Sequence, residues 1–322
     1  MQPVVTVEEM RAIDAAAQRH IPVETLIERA GAAAAHAALA MLGGAYGRRV
    51  VVVAGKGHNG DDGRVAARHL RARGARVEVI DVASAPLTLP PADLVVDAAF
   101  GTGFRGQYDA PRTDAPVLAV DIPSGVGGDT GEAGAGAVRA AATITFAAWK
   151  PGLLLGDGPE RAGRVRVADI GLDCSGARAG LVGPDDVAGR LPRRSREWHK
   201  WKTAVGVVAG APGMMGAAGF CARGALRAGA GMVRLGVPGA GPADLPSSEA
   251  VAAGLPAEGW GPAAAEWVQR CGAVVVGPGL GRAPGTVEAV RSLVAAAPVP
   301  VLVDADGLHA LGGSAGTVLR AR

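Results

Sequence analysis

Residues Val50 to Leu70 read VVVVAGKGHNGDDGRVAARHL, and the fold of the chain is decided there. Four consecutive valines make a strand apolar on both faces, GKGHNGDDG is a polar glycine turn, and the spacing then becomes helical, predicting a helix over 61–73 that stops at Gly74. A strand, a glycine-rich turn and a helix N-terminus in succession bring backbone N–H groups and the helix dipole to one point, the arrangement that receives an anion. The turn lacks the Gly-Lys-Ser/Thr end of a P-loop, and its spacing is not that of G-x-G-x-x-G. Taken alone, it also fits a plain β–α turn with a solvated polar rim.

The strands that follow set the class. Val77–Ile80, Leu94–Asp97, Val117–Asp121 and Thr143–Phe146 read as strands separated by polar or helical stretches, and Arg164-Val-Arg-Val alternates as an edge strand with one wet face. Such alternation predicts an α/β fold with a doubly wound parallel sheet, whose ligands sit beyond the carboxyl ends of the strands. Three strand ends deliver polar or glycine-rich segments: GKGHNGDDG, Asp97-AAFGTGFRG and Asp121-IPSG. Asp97 and Asp121 are candidate acids, although either also suits a turn cap. Lys150, in WKPGLLL, reads as a surface residue or as a phosphate contact. Ahead of the first strand, Thr6 and Glu9 form a capping box for a helix through Met10, Ile13 and Ala17, and a second helix from Pro22 carries Leu26, Ile27, Ala30, Ala34 and Ala38. Lying before the sheet, these helices are expected at its edge or at a subunit contact.

Composition bounds the function. The 322 residues predict two domains, and 49% hydrophobic with 20% charged residues describes a globular chain whose cores are built from Ala, Val and Leu, since aromatics make up 3%. A net charge of +3, with basic residues nearly all Arg and dispersed, argues against a nucleic-acid surface. Cys174, Cys221 and Cys271 have no metal-like spacing, which points to buried thiols in a reducing cytoplasm. The acidic start MQPVVTVEEM and the lack of a long apolar run give no sign of a signal peptide or a membrane span.

The motifs GKGHNGDDG, VVDAAFGTGFRG, VDIPSG and WKPGLLLGDGPERAGRVRVADIGL occur in the order of the YjeF N-terminal family, the NAD(P)H-hydrate epimerases, which residues 1–175 resemble. The resemblance implies a Rossmann-like domain that interconverts the R and S forms of C6-hydrated NADH or NADPH, with potassium as its ion. It implies hydrate contacts from His58, Asn59, Gly60, Asp61 and Asp62, pyrophosphate and sugar contacts from Gly101, Thr102, Gly103, Phe104, Arg105, Gly106 and Gln107, and Asp121 as substrate contact and acid–base group. Potassium falls to Asn59, Asp97 and Ser124. Where the family reads GNNGGDG, this chain has His58 for the first Asn and Asp61 for a Gly. A carboxylate at that point either turns to solvent or competes with phosphate for the helix dipole.

Residues 176–196, rich in Gly, Pro and Arg and including RLPRRSRE, read as a linker. Beyond it, HK at 199–200, GAPGMMGAAG at 210–219, RAGAGMVRLGVP at 227–238, VVVGPGLGR at 274–282 and VLVDADGLHAL at 301–311 are similar to the start of the YjeF C-terminal family, the ADP- or ATP-dependent NAD(P)H-hydrate dehydratases. The resemblance implies a partial ribokinase-like domain over 197–322, with Ala217, Gly279 and Gly281 lining a hydrate site and Asp304 and Asp306 close to it. The family's Thr-Pro-His, lysine-containing and Gly-Ser-Gly-Asp segments do not occur in the sequence. The expectation is therefore a truncated chain or a fragment, with an inactive dehydratase half, a sheet exposing apolar edges, and Asp304 and Asp306 serving only a strand-end turn. The expected partners are the small-molecule substrate and further copies of the chain. Two other classes stay open, a nucleotide-binding module without turnover and a ribokinase-like small-molecule kinase.

Overall fold

The first helix begins where its capping residues put it. In the computed structural model, which describes residues 1–191, 195–241, 244–245 and 249–320, Glu9 N donates to Thr6 Oγ1 at 3.2 Å and Thr6 N donates to Glu9 Oε2 at 2.8 Å. Helix α1 (Val7–Ala17) follows a short strand, β1 (Gln2–Val4), and leads to α2 (Val23–Leu42). The valine run forms β2 (Arg49–Ala54), followed by α3 (His58–Ala72), β3 (Arg76–Asp81), β4 (Leu94–Ala98), β5 (Val117–Val120), β6 (Ala142–Phe146), α4 (Gly158–Ala162) and β7 (Arg164–Ala168). The sheet order is β3-β2-β4-β5-β6-β7, every pair is parallel, and β7 is the edge its alternating Arg and Val predict. The winding reverses between β2 and β4, which opens a crevice at their carboxyl ends.

Helix α2 is not at the sheet edge. Its Ala30, Ala34 and Ala38 lie on one stripe and share a core with Val50, Val52, Val96, Leu118 and Val120, so the helix lies on a face of the sheet beside α3. Small side chains let the two helices approach closely: a Cβ on Gly31 would stand 2.4 Å from Cγ1 of Val65. The opposite face is covered differently. There Val51, Val53 and Val95 pack against Leu89, Phe100 and Tyr108, which come from connecting segments.

The tether expected over 176–196 is shorter at its start, because β8 (Ala179–Leu181) pairs antiparallel with β1 and is followed by α5 (Pro184–Ala188). The chain divides into units Met1–Leu191 and Pro192–Arg322. Residues 192–194 of the basic stretch lie outside the described residues.

The second unit alternates regularly: β9 (Ala204–Val208), α6 (Met215–Arg227), β10 (Met232–Pro238), β11 (Val251–Leu255), α7 (Trp260–Trp267), β12 (Ala273–Val276), α8 (Pro284–Ala296), β13 (Val301–Val303) and α9 (Asp306–Leu311). The parallel order β11-β10-β9-β12-β13 has α6 packed on one face and α7 with α8 on the other, a doubly wound arrangement. At its two edges Val251 and Leu302 are exposed. Cys271 is buried, whereas Cys174 and Cys221 are only partly so, and all three are free thiols. Among the described residues, no helix is long and apolar enough to cross a membrane.

Candidate active site

The glycine turn is shorter than the sequence predicts, because α3 starts at His58 with Gly57 as an extended N-cap. HNGDDG is therefore the first stretch of the helix, and the leading N–H groups of that helix have no intrahelical partner. Gly60 is fixed by close approach: a Cβ there would stand 2.0 Å from the carbonyl oxygen of Gly55, whose own N–H donates to Ala98 O at 3.0 Å. Gly60→Ala is expected to cost about 1–3 kcal/mol by overpacking, read as a lower urea midpoint at unchanged slope. Equal midpoints for variant and parent would refute this account of the contact.

At the end of β5, Asp121 has φ +68°, a left-handed backbone that few residues other than Gly adopt. Its carboxylate is held from several sides. Oδ2 accepts from Thr102 N at 3.1 Å, Oδ1 accepts from Thr145 Oγ1 at 3.3 Å, and Lys150 Nζ stands 3.1 Å from Oδ1. Lys150 also donates to Thr145 Oγ1 and to Phe146 O, both at 2.8 Å, and its side chain is 1% exposed. The surface reading of Lys150 does not survive, because it is the interior counter-ion of Asp121 and lines the same cavity. Burial acts to raise the Asp121 carboxyl, but the adjacent ammonium and the Thr102 bonds outweigh it and hold the group below the usual carboxylate range.

These groups line a cavity of about 560 Å³ beyond the carboxyl ends of β2, β4 and β5. Of the residues named from the sequence, His58, Asn59, Asp62, Gly101, Thr102, Gly103, Phe104 and Asp121 line it, while Gly60, Asp61, Arg105, Gly106 and Gln107 lie outside its lining. Asp61 turns away and pairs with Arg64 Nη1 at 3.2 Å, which removes its carboxylate from competition for the cavity. Asp62 turns inward. Burial first, and then the negative charge of Asp121, Asp61 and Asp14, push its carboxyl up to about 8. The sequence reading missed Asp14 and Gln18 on the α1 side and Lys56 on the rim, which add to the polar lining.

Asp97 does not share this cavity. It borders a separate groove with Tyr108, while its Oδ1 accepts from Ser124 Oγ at 2.7 Å and its Oδ2 from Ser124 N at 2.8 Å. Asp97 and Asp121, both named from strand ends, are separated by strand parity. Asp97 points to the same face as Val95, opposite to Val96 and the α2 side. Burial lifts the Asp97 carboxyl to about 6 against the opposing bonds from Ser124 and Ala99. Ser124 carries the link forward: its Oγ accepts from Phe100 N at 2.9 Å and lies 3.2 Å from Phe100 O. The pair thus supports the segment whose next residues, Gly101–Phe104, line the cavity. Asn59 sits beside Gly101, and its buried Oδ1 and Nδ2 have no hydrogen-bond partner among the described residues.

In the second unit Ala217 and Gly279 are brought together, since a Cβ on Gly279 would stand 2.8 Å from that of Ala217. Gly281 N donates to Asp306 Oδ2 at 3.0 Å, and Arg282 Nε to Asp306 Oδ1 at 3.0 Å. Arg282, and then the Gly281 bond, lower the Asp306 carboxyl, while Asp304 accepts from Ala305 N at 2.8 Å. Both aspartates are engaged in the turn after β13.

A sequence profile described as YjeF-related protein N-terminus matches residues 23–90 and 80–152, and one described as NAD(P)H-hydrate dehydratase matches residues 205–316. The bifunctional NAD(P)H-hydrate repair enzyme of Salinibacter ruber is 37% identical, over 97% of this chain and 70% of its own length. The enzymes of the same description from Moorella thermoacetica and Mycobacterium tuberculosis H37Rv are 34% and 35% identical, over 96% and 97% of this chain and 69% and 70% of theirs. A yeast protein of known crystal structure, ynu0, superposes with a TM-score of 0.42 at 20% identity, covering 61% of this chain and 96% of that one.

Proposed function

Because the chain belongs to the family of bifunctional NAD(P)H-hydrate repair enzymes, we propose that it acts in metabolite repair, its first unit interconverting the R and S forms of hydrated NADH or NADPH. The observation that carries this reading is an ionised Asp121 locked against the interior Lys150 in a cavity at the switch point of a parallel sheet. The hydroxyl of the hydrate is on a carbon next to the ring nitrogen. Once protonated it leaves as water, because the nitrogen lone pair takes up the positive charge, and water returns to either face. A carboxylate beside that carbon serves both the proton transfer and the cation. Thr102 and Lys150 keep Asp121 oriented and charged. The leading N–H groups of α3 and the rim residues Lys56 and His58 suit the pyrophosphate.

Potassium fits the residues present. The unpartnered Oδ1 of Asn59 is a hard oxygen donor, and Asp97 with Ser124, next to the Phe100 carbonyl, supplies others. Asn59, beside Gly101 on the cavity side, and Asp97 with Ser124, at Phe100 on the groove side, flank one segment and would hold the ion there, where it would supply a fixed positive charge. For the second unit we propose the ADP- or ATP-dependent dehydratase role, with Ala217, Gly279 and Gly281 at the hydrate. This reading also makes the protein a cytoplasmic homo-oligomer that acts on a small molecule, with no nucleic-acid or membrane partner.

The test is to start from one separated epimer and follow its equilibration by chromatography, in potassium and in a bulky organic cation. Interconversion is expected in potassium and a rate lower by about tenfold or more without it. No interconversion in either medium would sink the repair reading. Equal rates in both would sink the ion assignment alone.

A further inference from the structure

The cavity holds more acid than its interior base can match. Asp14 enters from α1, Asp62 from α3 and Asp121 from the end of β5, and among the described residues the one cation buried with them is Lys150. An ammonium in direct contact with one carboxylate stabilises that one, and a second ionised carboxylate in the same enclosure meets both desolvation and like charge. Asp121 holds the contact position, at 3.1 Å. Asp14 and Asp62 have no hydrogen-bond partner for their carboxyls among the described residues, and burial raises both, with Asp121 adding to the shift. Asp14 is placed differently from the other two. It lies one turn beyond the buried Met10, on the face that α1 presents to the cavity, so its wall is separate from the strand ends that carry Asp121. Lys150, Asp121, Asp62 and the imidazole of His58 are the titratable groups that face it.

Resting on the repair reading above, we infer that Asp14 is the second proton-transfer group of the epimerisation, serving the ring face opposite to the one that Asp121 serves. The step balances without any co-reactant. The carboxylic acid of Asp14 gives its proton to the hydroxyl on its own face, the C–O electron pair leaves with the water, and the ring nitrogen lone pair forms the C=N bond. Water then adds to the other face, the C=N electrons return to nitrogen, and the surplus proton passes to the Asp121 carboxylate. The enzyme ends with the two carboxyls in exchanged protonation states, and the opposite epimer resets it by the same path reversed. Each protonation state therefore handles one epimer.

The test uses Asp14→Asn and the parent in water enriched in oxygen-18. Each separated epimer is supplied in turn, and label is read by mass spectrometry in the unchanged and the inverted product. In the parent, both epimers are expected to invert and to exchange. In the variant, inversion from both epimers is expected to fall by about 100-fold, and exchange with retention is expected to fall most for the epimer whose hydroxyl faces position 14. Asp14→Glu is expected to recover inversion in part. An unchanged rate, or inversion and retention slowed equally for both epimers, overturns the assignment. A parent that neither exchanges nor inverts overturns the repair reading instead.

Discussion

Asp121→Asn is expected to slow epimer interconversion by about 10³-fold while leaving affinity for the hydrate within a few-fold. Asparagine is the informative replacement because it tolerates the left-handed backbone, where alanine would add strain. Its side-chain oxygen can still accept from Thr102 N or face Lys150, so the loop carrying Thr102 keeps its anchor. What the amide cannot do is take and return a proton. Initial rates from both epimers, with binding measured by quenching of intrinsic fluorescence, separate the two roles. A variant retaining more than about a tenth of the parent rate shows that Asp121 is not the acid–base group, since such groups contribute about 10²–10⁴.

Much of the site is legible in the amino-acid sequence, and the rest escapes it for physical reasons. The valine run, the polar strand ends and Asp121 could be read because a strand buried on both faces and a polar residue at its carboxyl end are local patterns. Lys150 escaped because nothing near it in the chain marks burial. It follows β6 in a Pro-Gly turn, and its partners are Asp121, far back in the sequence, and the Thr145 hydroxyl and Phe146 carbonyl of β6. The inward turn of Asp62 and the outward turn of Asp61 were lost by starting the helix at residue 61. Once the helix starts at His58, neighbouring residues point about 100° apart. Two signals were present and unused. The parity of β4 puts Asp97 with Val95, away from the α2 face, and the helical spacing of Met10 and Asp14 puts the carboxyl on the buried side of α1. Strands β1, β8 and β11 gave little signal, being either three residues long or, in β11, made of Val251-Ala-Ala-Gly-Leu255.

Lys150→Met is expected to destabilise the first unit by about 3–5 kcal/mol near neutral pH, because removing one member of a buried pair leaves the other charged and uncompensated. Methionine fills a similar volume, so the loss reports charge and not a cavity. Its dependence on pH separates this cause from simple misfolding. In the parent, the Asp121 carboxyl is held below its unfolded value, so it contributes stability that is present above the unfolded carboxylate range and is lost as pH falls through the lowered folded value. In the variant, the ammonium that outweighed burial is gone, and burial pushes the same carboxyl upward. The sign then reverses: acidification protonates Asp121 and relieves the variant, while in the parent it leaves Lys150 without its counter-charge. Denaturant midpoints of parent and variant should therefore converge as pH is lowered from 7 toward the carboxylate range. A stability gap that stays constant with pH would mean that Lys150 acts through packing and that Asp121 does not depend on it for its charge. Epimer interconversion by the variant should be impaired at neutral pH for the same reason, since an Asp121 that has gained a proton no longer accepts one from the incoming water.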